Sequence, residues 1–261
     1  MTLIEIIILI TAGLFVGFIN TLAGGGSIIS LSILMLLGLP ANVANGTNRI
    51  GILVQNIAAV ASFKQQKVLE TKIAMILAIP AIIGSLIGAW IAVDINEEIF
   101  ERAVAIIMIV MLFFILFNPQ KLLHGNKELT EKKISFWKIL LFFFIGLYGG
   151  FIQIGIGYFL IASILLGLGY DIVKTNAIKV LIVLLYTPFT LIIFILNDQV
   201  NWAYGLTLTI GTFIGATIAS RLAVKKGVNF VRWVIVLVIL FTSAHLFDII
   251  DIKQLLGNFI K

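Results

Sequence analysis

Gly24-Gly25-Gly26-Ser27 opens an apolar run that ends in Ala44-Asn45-Gly46-Thr47-Asn48-Arg49, and the chain repeats this pattern once. The second copy begins at Gly155-Ile156-Gly157 and ends at Thr175-Asn176-Ala177-Ile178-Lys179. A constant offset of 131 residues relates the matching positions. These pairs are Gly24 and Gly155, Gly26 and Gly157, Gly38 and Gly169, and Asn45 and Asn176. The chain therefore looks duplicated, with glycines, amides and cations at corresponding places.

The composition is that of a membrane protein. Hydrophobic residues make up 61% of the chain and charged residues 11%, and the mean hydropathy is +1.17. A soluble domain is about 45–50% apolar and about a quarter charged. The apolar runs are continuous rather than alternating, which favours a helical bundle over a barrel. At 261 residues, a bundle of roughly eight to ten membrane segments is expected.

Five apolar segments can be read in each half. The segments 27–38 and 156–168 are too short to cross a bilayer core of about 30 Å, and both begin at glycines. Short, glycine-interrupted segments at matching places in two repeats predict broken or re-entrant helices. We place the first repeat at 1–117, a cytoplasmic polar linker at 118–136 and the second repeat at 137–261. The other segments are 3–23, 42–63, 72–93, 99–117, 137–154, 176–196, 203–220 and 230–247.

The charges of the loops predict how the two repeats are oriented. The loops around 64–72 and 221–226 and the linker are basic, whereas the loops 94–101 and 197–202 carry acidic residues and no cation. Basic loops stay in the cytoplasm, so matching loops of the two halves face opposite sides. This indicates inverted-topology repeats, which need an odd number of crossings per half, and five segments in each half satisfy this requirement. The predicted fold is an all-α integral membrane protein, a polytopic helical bundle of two inverted repeats.

The first-half motif resembles the TauE/SafE family of membrane permeases, the sulfite exporters. The family pattern Gly-Phe-x-x-x-x-x-Gly-Gly-Gly corresponds to residues 17–26, its Gly-x-Pro turn to 38–40 and its Ala-x-Gly-Thr-Asn stretch to 44–48. The second half carries fewer glycines than the family usually does, in Gly155-Ile156-Gly157-Tyr158. The likeness covers nearly the whole chain. It implies transport of small sulfur-containing anions such as sulfite, thiosulfate or organosulfonates, without choosing among them.

Two cations lie in the apolar repeats, Arg49 and Lys179. A charge near the bilayer centre costs about 2.5–3.5 kcal/mol on insertion scales, and an anion site would offset this cost. The guanidinium fork of Arg suits an oxyanion, while Lys acts as a point charge. The alternative is that both cations lie near helix ends and extend to the interface. We expect Arg49→Ala to abolish transport and still fold.

Glycines and amides near these cations complete the predicted anion site. Consecutive glycines let backbone N–H groups approach a ligand, with close helix packing as the alternative. Asparagines at these positions either donate to an anion or cap a helix N-terminus, which itself attracts anions. Asn20 and Gln153 line the site or satisfy backbone groups freed by a break. The predicted substrate-binding residues are Asn20, Gly24, Gly25, Gly26, Asn45, Thr47, Asn48, Arg49, Gln153, Gly155, Gly157, Asn176 and Lys179.

The expected function is secondary transport of such an anion by alternating access around a midplane site, in a multi-pass protein of the cell membrane. An anion channel and a membrane-embedded non-transport subunit are the alternatives. With no cysteine and two histidines, the chain offers little for a metal site, and we expect no catalytic residues, no enzyme activity and no cofactor. No basic stripe indicates nucleic-acid binding. The expected partners are a small anion and the lipid bilayer; homo-oligomerisation is left open.

Overall fold

The computed structural model describes residues 1–117, 127–130 and 134–222, and every regular element in these ranges is an α-helix. Four helices (α1, α4, α9 and α10 below) are long and apolar enough to cross a membrane, so the all-α membrane fold is confirmed. The helices are α1 (Leu3–Leu22), α2 (Ser27–Leu36), α3 (Ala41–Gln65), α4 (Thr71–Asp94), α5 (Glu97–Phe117), α6 (Lys127–Thr130), α7 (Phe136–Phe151), α8 (Ile156–Leu168), α9 (Ile172–Leu196) and α10 (Trp202–Leu222).

Two parts of the predicted organisation lie outside the described residues. One is the last segment, 230–247, and the other is most of the linker, at 118–126 and 131–133. The boundaries of the repeats therefore stay a prediction. Within the described ranges, α1 to α4 and α7 to α10 have matching lengths and order.

The longest helices, α3 and α9, pack against each other in opposite directions at the centre of the described bundle. Near the start of α3, the Thr47 hydroxyl accepts a hydrogen bond of 2.8 Å from the backbone N–H of Asn201, just beyond α9. Near its other end, Phe63 shares an apolar cluster with Ala177 and Val180 from the first turns of α9. Each half therefore contributes one helix to this central antiparallel pair.

The remaining long helices pair across the halves. Helix α1 packs along α10 and, correspondingly, α7 packs along α4. Glycines line both interfaces: a Cβ on Gly17 would overlap the Thr212 backbone, and one on Gly84 would overlap the Phe143 backbone. Small residues of this kind let apolar helices approach closely in lipid. The two halves are therefore intertwined, since each contributes one helix to both interfaces.

Helices α1 and α2 form a hairpin that begins and ends at the same end of the bundle. Asn20, near the end of α1, contacts Ser27 at the start of α2 and Gln55 in the middle of α3. Helix α2 then returns to the start of α3. Helices α7 and α8 form the matching hairpin: Gln153 contacts Tyr186 in the middle of α9, and α8 returns to the start of α9.

The hairpins agree with the prediction of short re-entrant segments. The α1–α2 hairpin starts and ends on one side of the bundle, so its two helices add no net crossing. Helices α3, α4 and α5 leave an odd number, so the inverted orientation of the repeats is retained. One end of the bundle carries Lys64, Lys67, Lys72, Lys174 and Arg221, and we call it the basic end. The opposite end is the acidic end, with Asp94, Glu97, Glu98 and Asp198.

Candidate functional site

The tips of the two hairpins meet at mid-height of the bundle. Gly24 and Gly155 both adopt positive φ, at 85° and 65°, which glycine tolerates better than other residues. Gly24 lies just after α1 and Gly155 just before α8, and at these residues the chain turns into α2 and α8. A Cβ on Gly24 would overlap the Gly157 backbone, and a Cβ on Gly157 would overlap Gly24. Two broken helices therefore touch, backbone to backbone, where the sequence predicted an anion site.

A small polar cavity lies beside this contact. Its volume is about 20 Å³, which is room for about one water molecule. Four of the helices around it, α2, α3, α8 and α9, supply lining residues, as does the end of α1. The lining residues are Asn20, Gly24, Ser27, Ile52, Gln55, Asn56, Gln153, Ile156, Gly157, Lys179 and Val183.

Amide side chains give the cavity its hydrogen-bonding groups. The Asn20 amide donates to the Ser27 hydroxyl and to Gln55 Oε1, both at 3.4 Å, and Asn20 Oδ1 accepts from the Ser27 backbone N–H at 3.1 Å. The Gln153 amide donates to the Tyr186 hydroxyl at 3.1 Å. In the described part of the chain, Gln153 Oε1 has no partner although it is buried. Since amide O and N are assigned from the network, Gln153 can present either an acceptor or a donor here.

Lys179 brings a positive charge to the edge of the cavity. Its side chain is buried, with 2% exposure. The ammonium donates to the backbone carbonyls of Asn20 and Thr21 at 2.8 and 3.0 Å, and to Asn176 Oδ1 at 2.8 Å. Helix ends leave their last carbonyls without helical partners and carry partial negative charge. Lys179 therefore satisfies the broken end of α1.

Arg49 plays the same part at the broken end of α7, but outside the cavity lining. Its guanidinium donates to the carbonyls of Gly149 and Gly150 at 3.4 and 2.6 Å and to the Thr190 hydroxyl at 2.8 Å. The group lies 4.4 Å from the centre of the Phe194 ring. Lys179 and Arg49 thus satisfy corresponding helix ends, although the sequence offset between them differs by one residue from that of the repeat.

The predicted asparagine pair also acts on these broken ends. Asn45 donates to the Phe151 carbonyl at 3.0 Å, and Asn176 donates to the Leu22 carbonyl at 3.1 Å. Neither is the N-cap residue of its helix: Pro40 precedes α3 and Asp171 caps α9. Both side chains instead cap the C-terminal end of a helix in the other half.

The cavity brings together five of the predicted residues, namely Asn20, Gly24, Gln153, Gly157 and Lys179. The others lie elsewhere around the hairpin tips. Gly25 faces the ring of Tyr158, Gly26 faces the Val16 carbonyl and Asn20, Gly155 faces Met111, Thr47 accepts from Asn201, and Asn48 is buried with its Oδ1 unpartnered among the described residues.

Three polar lining residues were not among the predicted ones: Ser27, Gln55 and Asn56. A helical-face argument would have found Asn56, because Arg49, Ile52 and Asn56 follow the i, i+3, i+7 spacing of one face. Ser27 follows the glycine triplet directly. Helices α2 and α8 also start beside the cavity, where the dipole of a helix N-terminus favours negative charge. In α2, the N–H groups of Ser27 and Ile28 already donate to Asn20 Oδ1 and the Gly25 carbonyl.

A bundle of long apolar helices with polar side chains buried between them defines a multi-pass α-helical membrane protein. The chain belongs to the sulfite exporter TauE/SafE family, whose model matches residues 9–246. Membership of this family makes the protein a membrane transporter.

Similar proteins span almost the same length. One from Haemophilus influenzae, named probable membrane transporter protein, is 23% identical over 244 residues, which cover 92% of this chain and 94% of the relative. YfcA of Escherichia coli K12, also named a probable membrane transporter protein, is 28% identical over 240 residues, covering 92% and 88%. YunE of Bacillus subtilis, with the same description, is 24% identical and covers 89% and 95%. No solved structure matches the chain.

Proposed function

We propose that this transporter is a secondary carrier of small sulfur-containing oxyanions, and that the anion binds in the mid-height cavity between the hairpin tips. Family membership supports the substrate class. The observation that carries the proposal is the position of Lys179, a buried cation at a cavity whose other polar lining groups are four amides and a hydroxyl, beside glycines and three aliphatic side chains. Within the described residues no carboxylate pairs with this ammonium, so an entering anion would supply the missing negative charge.

The ligands we propose for the anion are Asn20, Ser27, Gln55, Asn56 and Gln153. Because three protein oxygens already hold the Lys179 ammonium, it acts on the anion through its charge while the amides and hydroxyl donate hydrogen bonds. Arg49 stabilises the opposite hairpin in this proposal and does not contact the anion in the conformation described.

Binding must widen the cavity. A volume of about 20 Å³ holds about one water molecule, whereas sulfite or thiosulfate has several heavy atoms. A site that must open to admit its ligand supports a carrier, in which binding and motion are linked, over an open channel. The glycine-lined α1–α10 and α4–α7 interfaces oppose separation of the two sequence halves. We therefore propose that these two helix pairs move relative to each other around the α3–α9 crossing.

Thermal unfolding of the purified full chain in detergent tests the anion site. Sulfite, thiosulfate, sulfate, sulfoacetate, taurine, chloride and acetate are added separately, because a ligand of the folded state raises the melting temperature. We expect one or more sulfur oxyanions to stabilise the protein and Asn56→Ala to weaken that binding about 10-fold or more, the worth of one hydrogen bond to a charged group.

Asn197→Ala is the matched control. Asn56 and Asn197 both donate to the carbonyl four residues earlier, at 2.7 and 2.8 Å, but Asn197 lies at the end of α9, outside the cavity lining. Loss of anion stabilisation in both variants, or in neither, would contradict the proposed site.

A further inference from the structure

Three oxygen atoms converge on one point at the broken end of α1. They are the carbonyl oxygens of Asn20 and Thr21 and the amide oxygen of Asn176, at 2.8, 3.0 and 2.8 Å from Lys179 Nζ. All four residues are buried. In lipid such carbonyls need a donor or a cation, because no bulk water reaches them.

Helix ends of this kind are recurrent cation sites in carriers built from inverted repeats. There, unwound carbonyls and the C-terminal ends of half-helices coordinate the coupling sodium ion, because the helix dipole and the orphan carbonyls both favour positive charge. In this protein, a side-chain ammonium from the opposite half occupies the equivalent position. It contributes one positive charge and three donors to an all-oxygen ligand set.

The end of the second broken helix, α7, has a similar arrangement. The end of α7 is held by Arg49, which donates to the carbonyls of Gly149 and Gly150, and Arg49 also comes from the opposite half. Two hairpin ends with two different cations argue against a chance contact. At both, the oxygen atoms that would bind a metal ion are taken by the chain itself.

We infer that the Lys179 ammonium is a resident substitute for a coupling metal cation at the end of α1. The consequence for transport rests on the proposed function: anion movement requires neither sodium nor potassium. The binding position itself can be tested without any substrate, through the stability of the purified protein.

The experiment is cation rescue of Lys179→Ala. The full chain, purified in detergent, is unfolded thermally in chloride salts of N-methylglucamine, ammonium, potassium or sodium at equal ionic strength. We expect Lys179→Ala to melt about 5 °C or more below wild type in N-methylglucamine, since roughly 2–4 °C accompany each lost kilocalorie in a chain of this size class. Ammonium, and to some degree potassium or sodium, should restore the melting temperature saturably.

Two further variants separate the cation site from other effects. Lys179→Met fills the same space without charge and should stay destabilised in every salt. Lys174→Ala removes an exposed ammonium five residues earlier, one that pairs with Glu70 at 2.6 Å, and should show no rescue. Wild type should melt at one temperature in all four salts.

Several results would overturn the inference. One is that Lys179→Ala melts at the wild-type temperature in N-methylglucamine. Another is that ammonium, potassium and sodium all fail to raise its lowered melting temperature. If this variant cannot be purified, wild type decides: a saturable rise of its melting temperature with sodium or potassium would show that the folded protein binds a metal cation although Lys179 is present, against the inference. In proteoliposomes, thiosulfate flux that requires sodium would also refute the inference. Absence of flux in every salt would contradict the proposed function and leave the stability result standing.

Discussion

Arg49 stands out in the sequence as a cation in an apolar repeat, but its hydrogen-bond partners are distant in the chain. The side chain is fully buried, and the three hydrogen bonds that it makes among the described residues all reach the second half, to the end of α7 and to α9. A guanidinium can satisfy two neighbouring carbonyls at once because its donors form a planar fork. Its removal leaves those carbonyls in an apolar interior, which costs about 1–3 kcal/mol for each.

Arg49→Ala is therefore expected to destabilise the protein by about 2–5 kcal/mol, seen as a lower unfolding temperature of the purified chain. The Arg49→Lys variant keeps the charge but loses the planar fork of donors, so its unfolding temperature should lie between those of wild type and Arg49→Ala. Arg221→Ala, at the exposed end of α10, serves as the control for loss of a cation. Unfolding of Arg49→Ala at the wild-type temperature would mean that the α7 end does not depend on this contact.

This prediction differs from what the sequence alone suggested for the same residue. The sequence around Arg49 shows a cation in an apolar repeat, and one interpretation of that cation is that it binds an oxyanion. The carbonyls of Gly149 and Gly150 are about 100 positions away in the chain, and no local sequence pattern at Arg49 predicts this contact. The role of Arg49 as a substrate ligand thus stays a prediction, and a transport defect in Arg49→Ala has to be separated from its expected instability.

At the scale of elements, the hairpin tips depend on glycines that meet from opposite halves. Gly157 lies at the start of α8, where its backbone contacts Gly24. A methyl group added at Gly157 would meet the backbone of Gly24, and a backbone cannot rotate away as a side chain can. Overpacking of this kind forces shifts in both hairpins and moves the walls of the cavity.

Gly157→Ala should therefore reduce or abolish anion stabilisation of the purified protein and lower its unfolding temperature. Gly167→Ala is the matched control on the same helix, because nothing lies within 4 Å of a Cβ added there. Alanine favours helix over glycine by about 1 kcal/mol, so this variant should be neutral or slightly more stable. Equal behaviour of the two variants would show that the Gly24–Gly157 contact does not shape the site.

The sequence predicted both the position of these elements and that they are broken or re-entrant. Glycines at matching positions predicted that α1 and α7 break at these places, and the positive φ of Gly24 and Gly155 provides the physical reason. Segment length shows that the short helices cannot cross alone, but it cannot tell a broken helix that continues across the bilayer from one that turns back. The return of α2 and α8 follows from tertiary contacts, such as that of Asn20 with Gln55, that no local pattern specifies.

At the scale of the whole molecule, the two halves are not in equivalent surroundings. Asn56 and Thr187, its counterpart at the offset of 131 residues, are both buried and donate to the carbonyl four residues earlier, at 2.7 and 2.6 Å. Of the two, Asn56 lines the cavity and Thr187 lies outside the lining. On α3 and α9 the lining residues begin at mid-height and extend toward the basic end. In an inverted repeat, exchange of these two environments converts access from one side into access from the other.

Because the chain has no cysteine, single cysteines can report this difference directly. When the cavity widens as proposed, we expect Asn56→Cys to react with a small membrane-impermeant thiol reagent applied from the basic end, which the positive-inside rule places in the cytoplasm. Thr187→Cys should resist the reagent from that side and react from the acidic end only when the carrier turns over. Inside-out and right-side-out vesicles supply the two directions, and a saturating sulfur oxyanion should slow both reactions. Labelling of both cysteines from both sides at once would reveal a continuous aqueous path, which alternating access forbids and a channel requires.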